Sequence, residues 1–143
     1  MEQIALESSK QLSKSLKKPV MVEDTGVFFK AYKGFPGPMP KFIYEKIGYD
    51  GIFRLLKAKN RNARFVSAVG FCFPGKKPVV FTGEMKGRIT NTVRCRKKDV
   101  LPYERIFVPE KCSKVLAELP KQEKIKMLHR YKAFIKLKSY LER

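Results

Sequence analysis

The spacing of hydrophobic positions changes several times along the chain, and each change marks a different element. From Glu2 to Leu16, the positions Ile4, Ala5, Leu12 and Leu16 recur at helical spacing while Lys10, Lys14 and Lys17 fall elsewhere, which predicts a helix stopped by Pro19. Pro19 to Val22 is short and apolar and runs into Glu23, Asp24, Thr25 and Gly26, the pattern of a buried strand ending in two carboxylates. Gly34-Phe35-Pro36-Gly37-Pro38-Met39-Pro40 is too rich in Gly and Pro for a helix or central strand and predicts a structured loop. Lys41–Ile47 and Asp50–Ala58 then read as two short helices.

Arg64–Phe73 and Pro78–Ile89 are rich in Val, Phe and Thr and flank Pro74-Gly75-Lys76-Lys77, which predicts an antiparallel hairpin. Ile106–Pro109 gives one more short strand. From Pro120 onward Ile125, Leu128, Tyr131, Phe134, Ile135 and Leu141 recur near the helical period, which predicts one long basic helix to the last residue. The sum is a mixed α/β chain of the α+β class, with no internal repeat or linker to divide residues 1–143 into more than a single domain.

Composition narrows the function classes. No apolar run approaches the ~20 residues needed to cross a bilayer, and the first residues are not signal-like, so a soluble, cytoplasmic protein with no membrane partner is expected. Cys72, Cys95 and Cys112 are odd in number and widely spaced, and His129 is alone, which argues against a zinc or disulfide framework. Charge changes the picture most: 32 Lys and Arg against 13 Asp and Glu leave +19, a field that attracts polyanions. The cations cluster at Lys57, Lys59, Arg61 and Arg64, at Arg94, Arg96, Lys97 and Lys98, and along the last segment at Lys126, Lys132 and Lys136. Arg88–Lys98 reads as a flexible basic loop suited to phosphate backbones.

Several segments, in order, resemble the inosine triphosphate pyrophosphatase family, whose members remove pyrophosphate from aberrant purine nucleoside triphosphates. Lys18-Pro19-Val20-Met21-Val22-Glu23-Asp24-Thr25-Gly26 is similar to its strand ending in Glu-Asp-Ser-Gly, and Gly34-Phe35-Pro36-Gly37 is identical to its Gly-Phe-Pro-Gly loop. Phe81–Ile89, Ile106-Phe107-Val108-Pro109 and Ala117-Glu118-Leu119 follow in register, and Glu123-Lys124 with His129-Arg130 resembles a helix that contacts phosphate and base. The resemblance implies a central mixed sheet flanked by helices, with Asp24 as general base or water-positioning group, Glu23 and Asp24 holding Mg²⁺, and Lys124, His129, Arg130 and Tyr103 binding the nucleotide.

The same comparison shows departures. The family's first strand and Gly-rich phosphate turn have no counterpart here, Leu128 stands for a serine, and Leu101-Pro102-Tyr103-Glu104 replaces an aromatic run ending in Asp. Together with the charge, these departures lead to the expectation of a catalytically degenerate relative that binds ribosomal or other structured RNA through the clustered cations and needs no cofactor. The alternative expectation is a Mg²⁺-dependent pyrophosphatase acting on inosine or xanthosine triphosphate, completed by another chain that supplies the phosphate loop; a protein partner is a further expectation at the sheet edge left without the first strand.

Overall fold

A computed structural model describes residues 1–143. Helix α1 spans Glu2–Leu16, followed by β1 (Val20–Phe29), β2 (Pro36–Gly37), α2 (Pro40–Leu55), β3 (Asn62–Cys72), β4 (Val79–Ile89), β5 (Phe107–Pro109), α3 (Lys121–Met127) and α4 (His129–Leu141). Short 3₁₀ turns cover Pro102–Arg105 and Leu116–Glu118. The five strands form one sheet in the order β2-β1-β3-β4-β5. β2 pairs antiparallel with β1 through Val27–Gly37 and Phe28–Pro36, and β5 pairs antiparallel with β4 through Gly87–Pro109 to Ile89–Phe107. The α+β class and the β3–β4 hairpin are as the sequence predicts.

Contacts divide the chain into two compact units, Met1–Gly26 with Val66–Glu84 and Leu128–Arg143, and Val27–Phe65 with Met85–Met127. In the first, α1 forms where expected but buries another face: Ala5, Ser9 and Ser13 are inside, whereas Ile4, Leu12 and Leu16 are exposed. The cause is Gly70. A Cβ there would lie 2.2 Å from the Ala5 carbonyl oxygen, so the helix backbone rests directly on β3, and only small side chains fit between them. The same device recurs at Gly83, where a Cβ would lie 2.0 Å from the His129 carbonyl oxygen. Consequently α4 buries His129, Ala133 and Leu137, while Ile135 and Leu141 face solvent. Val69, Phe71, Ala133 and Leu137 pack together, with Val79, Phe81, Phe134 and Tyr140 beside them.

The single long C-terminal helix expected from periodicity is two helices. Leu128 adopts extended angles (φ −61°, ψ 135°) between α3 and α4, a break that apolar spacing alone does not reveal. The carboxylate strand also differs from expectation. It continues through Glu23 and Asp24 to Phe29, so the acids sit inside β1 rather than at its end.

In the second unit, the Gly-Pro segment is partly a strand, since Pro36 and Gly37 pair with β1. The two short helices are present as expected: the span labelled α2 is broken at Gly48, whose non-helical angles (φ 63°, ψ −172°) kink the chain between them as glycine allows. α2 is tied to the Pro102–Arg105 turn by Tyr49 Oη donating to the Pro102 carbonyl (2.8 Å) and Tyr103 Oη donating to the Pro40 carbonyl (3.0 Å). Phe65 packs edge-on against Phe107 (4.8 Å between centroids) and Tyr103 (6.2 Å), filling the core with aromatic rings.

Candidate active site

Side chains alternate across a strand, so β1 sends Glu23 and Thr25 to one face and Asp24 to the other. Glu23 Oε1 accepts hydrogen bonds from Thr25 Oγ1, from the buried Ser67 Oγ on β3 (2.8 Å) and from Arg130 Nε on α4 (3.1 Å). Burial alone would raise the Glu23 pKa, but the two hydroxyls and the Arg130 charge outweigh it and leave the carboxyl below its ordinary value. Glu23 therefore favours its anionic form, whose Oε1 is engaged by Arg130 and two hydroxyls. Glu23 and Asp24, the pair expected to hold a metal ion, thus point to opposite faces of β1.

Asp24 has the reverse balance. Burial is the largest influence and, with the neighbouring Glu23 charge, raises its pKa; the Thr25 backbone N–H and the Met1 ammonium only partly offset this. A partly exposed carboxylate with few donors and a raised proton affinity is suited to taking a proton from water.

The remaining candidates separate. Arg130 is half-exposed and held by Glu23 through Nε, and a guanidinium so held still carries two terminal amino groups that can meet phosphate oxygens. His129 is only 5% exposed, and burial, helped by the Arg130 charge, lowers its pKa to about 4. Its ring is neutral at pH 7 and lies buried on the inner face of α4. Lys124 lies on α3 and not on the helix of His129 and Arg130, contrary to the expected single helix. It forms an ion pair with Glu104, whose other oxygen accepts the Leu101 backbone N–H (3.0 Å). Tyr103, expected from the resemblance to bind the nucleotide, is buried, and burial drives its phenol pKa well above the ordinary value. It anchors α2 and the aromatic core.

Two hydroxyls that donate to Glu23 were not singled out from the sequence. Thr25 could have been found from its i+2 relation to Glu23, which places it on the same strand face. Ser67 left a fainter mark, a lone polar residue in the apolar run Phe65–Gly70. Glu104, read as a departure, turns out to supply the carboxylate that Lys124 needs.

Many cations assigned to RNA are engaged within the fold. Arg61 donates to the carbonyls of Ile89 (2.9 Å), Leu56 (3.3 Å) and Thr90 and lies over the Phe53 ring. Arg94 pairs with Glu118 (3.2 Å), Lys98 donates to the Ala117 carbonyl (2.5 Å), Lys132 to Glu84 (2.7 Å) and Lys136 to Thr82 (2.6 Å). Lys59 and Arg64 lie over the rings of Tyr32 and Phe28. Arg88–Lys98 is not a loose loop either: Arg88 and Ile89 belong to β4, Thr90 N–H donates to the Ile106 carbonyl (2.7 Å), and Arg94 N–H donates to the Arg105 carbonyl (3.0 Å). Lys57, Arg96, Lys97 and Lys126 are exposed on the surface.

A sequence model of the Ham1 family matches residues 1–140. The chain belongs to the Ham1 family. It is 44% identical over 134 residues to a protein of Methanopyrus kandleri named dITP/XTP pyrophosphatase, covering 93% of this chain and 70% of that one. An inosine triphosphate pyrophosphatase of Aspergillus fumigatus is 37% identical over 143 residues, 99% of this chain and 74% of the relative. The Ham1 protein of Staphylococcus aureus superposes with a TM-score of 0.87 at 26% identity, over 99% of this chain and 76% of that structure.

These likenesses overturn the reading of the Ham1 chain as a degenerate, RNA-binding protein of the ribosome. Relatives that match nearly all of it carry pyrophosphatase names, and nothing in them points to RNA. The physical reason the charge misled is visible in Arg61, Arg94, Lys98, Lys132 and Lys136, which serve as internal donors to carbonyl and carboxylate oxygens. No helix is long and apolar enough to cross a membrane.

Proposed function

We propose that this Ham1-family protein is a pyrophosphatase for purine nucleoside triphosphates of the dITP and XTP kind. Its relatives' names support that substrate class. The observation that carries the reading is the divided acidic strand: Glu23 Oε1 is engaged by Ser67, Thr25 and Arg130, while Asp24 keeps a raised proton affinity on the opposite face. In the reaction, water attacks the α-phosphorus, the α–β bridging P–O bond breaks, and a nucleoside monophosphate and pyrophosphate leave. Asp24 orients the water and accepts its proton, and Arg130, held through Nε, offers its terminal amino groups to the phosphates.

No group of three or more His, Cys, Asp or Glu converges to form a protein cage for a metal. Mg²⁺ fits such a site nonetheless, because it is commonly held by one or two carboxylates together with substrate phosphates, and Asp24 supplies hard oxygen donors. When bound it would neutralise charge on the phosphates.

Pyrophosphate release from XTP, dITP and GTP, followed with Mg²⁺, tests the reading. Asp24→Asn is expected to lower kcat by about 10²-fold or more with the fold intact by circular dichroism. Wild-type protein that turns over GTP as fast as XTP, or an Asp24→Asn variant with full activity, would refute it.

A further inference from the structure

We propose that the outer face of β1, β3 and β4 in the second unit carries a binding site for a chain of phosphates, using none of the residues of the Glu23 network. Alternation turns Val27, Phe29, Ala63, Phe65, Met85 and Ile89 inward and leaves Phe28 half-buried and Arg64, Lys86 and Arg88 exposed on the other face. These outward residues line a cavity of about 580 Å³, whose wall is completed by Lys30, Lys33 and Lys111. That volume falls within the range of small-molecule sites, roughly 300–1,000 Å³.

The charge of the cavity is one-sided. Six cations line it against a single carboxylate, Glu110. Arg64 on β3 and Lys86 and Arg88 on β4 belong to neighbouring strands, which lie only about 4.8 Å apart, and like charges at that spacing cost stability. A concave wall of one sign focuses its field and concentrates counter-ions, so an anion of several charges offsets the repulsion best. The mixture favours phosphate: two arginines offer planar forks and four lysines offer point charges. A second copy of this chain is the poorer occupant, since a two-fold contact at this face would set the same cations against each other. Phe28, with the Arg64 guanidinium 4.9 Å from its ring centre, and Tyr32 add apolar surface on which a nucleobase could lie.

Calorimetric titration with inorganic tripolyphosphate, without added metal, tests the site directly and does not depend on turnover. A single saturable event is expected, weakened about tenfold or more in Lys86→Glu/Arg88→Glu and in the milder Lys86→Gln/Arg88→Gln, yet almost unchanged in Lys10→Glu/Lys14→Glu, which removes equal charge from α1. Equal weakening by both charge reversals would overturn the proposal in favour of the general field of the protein. Binding lost in Arg130→Gln but kept in the β4 variants would overturn it in favour of the proposed catalytic site. Titration with ATP in parallel separates two supporting results: tighter binding than tripolyphosphate assigns the site to a nucleotide, and equal or weaker binding assigns it to an inorganic chain.

Discussion

In the first unit, α1 and α4 lie against strands because Ala5, Ser9, Ser13 and Ala133 add little bulk above Gly70 and Gly83. In the second, Phe65, Phe107 and Tyr103 fill the interior with rings, and arginines and lysines close off loose carbonyls around them. Lysines donate to carbonyls in the first unit as well, at Glu84 and Thr82, so the difference lies elsewhere: there helix backbone closely approaches strand, and in the second unit rings fill the volume. The two are therefore vulnerable to opposite changes: added atoms in the first and removed atoms in the second.

The contrast is tested most strongly by taking away a ring. Phe107 is fully buried, and Phe107→Ala is expected to cost about 3–5 kcal/mol in urea unfolding. Added bulk should be nearly as damaging in the first unit: Gly70→Val places a side chain on the Ala5 carbonyl and is expected to cost ~3 kcal/mol, whereas a cost under ~1 kcal/mol would show that α1 can lift away.

His129 gives a pH test of the same seat. Its pKa falls from 6.5 in the unfolded chain to about 4 in the fold, so the unfolded state takes up the proton first as pH drops. The stability it contributes is present above pH 6.5 and is lost on acidification toward pH 4, by roughly 3 kcal/mol at most, and His129→Gln should flatten that part of the profile. The smallest effect belongs to the second unit's surface. Arg94→Ala, which breaks a half-exposed pair with Glu118, is expected to cost less than about 1 kcal/mol, and less still in high salt.

The same contrast explains what was legible in the sequence. Strands rich in Val and Phe, the hairpin at Pro74–Lys77 and the ends of α1 follow from local rules that hold wherever large apolar groups decide the packing. The buried faces of α1 and α4 do not, because a glycine on a distant strand selects small residues and leaves Ile4, Leu12 and Ile135 outside. Likewise the break at Leu128 depends on where α4 is seated, and apolar spacing runs straight across it. At the site, the Glu23-Asp24 pair was visible, but its division between the two faces of β1 needed the strand to continue past it. The basic clusters were counted correctly and assigned wrongly, since a count of lysines and arginines cannot say which of them face a carbonyl of their own chain.

Neither unit is a contiguous stretch of polypeptide: the first is assembled from three separate segments and the second from two. During translation, Gly70 and Gly83 leave the ribosome well after α1 but well before α4. The seat at Gly70 can thus be occupied early, whereas the one at Gly83 must wait for α4 to be made. Acquisition of the Arg130–Glu23 pair is tied to that late event, so the acidic strand gains its partner only once synthesis has passed α4.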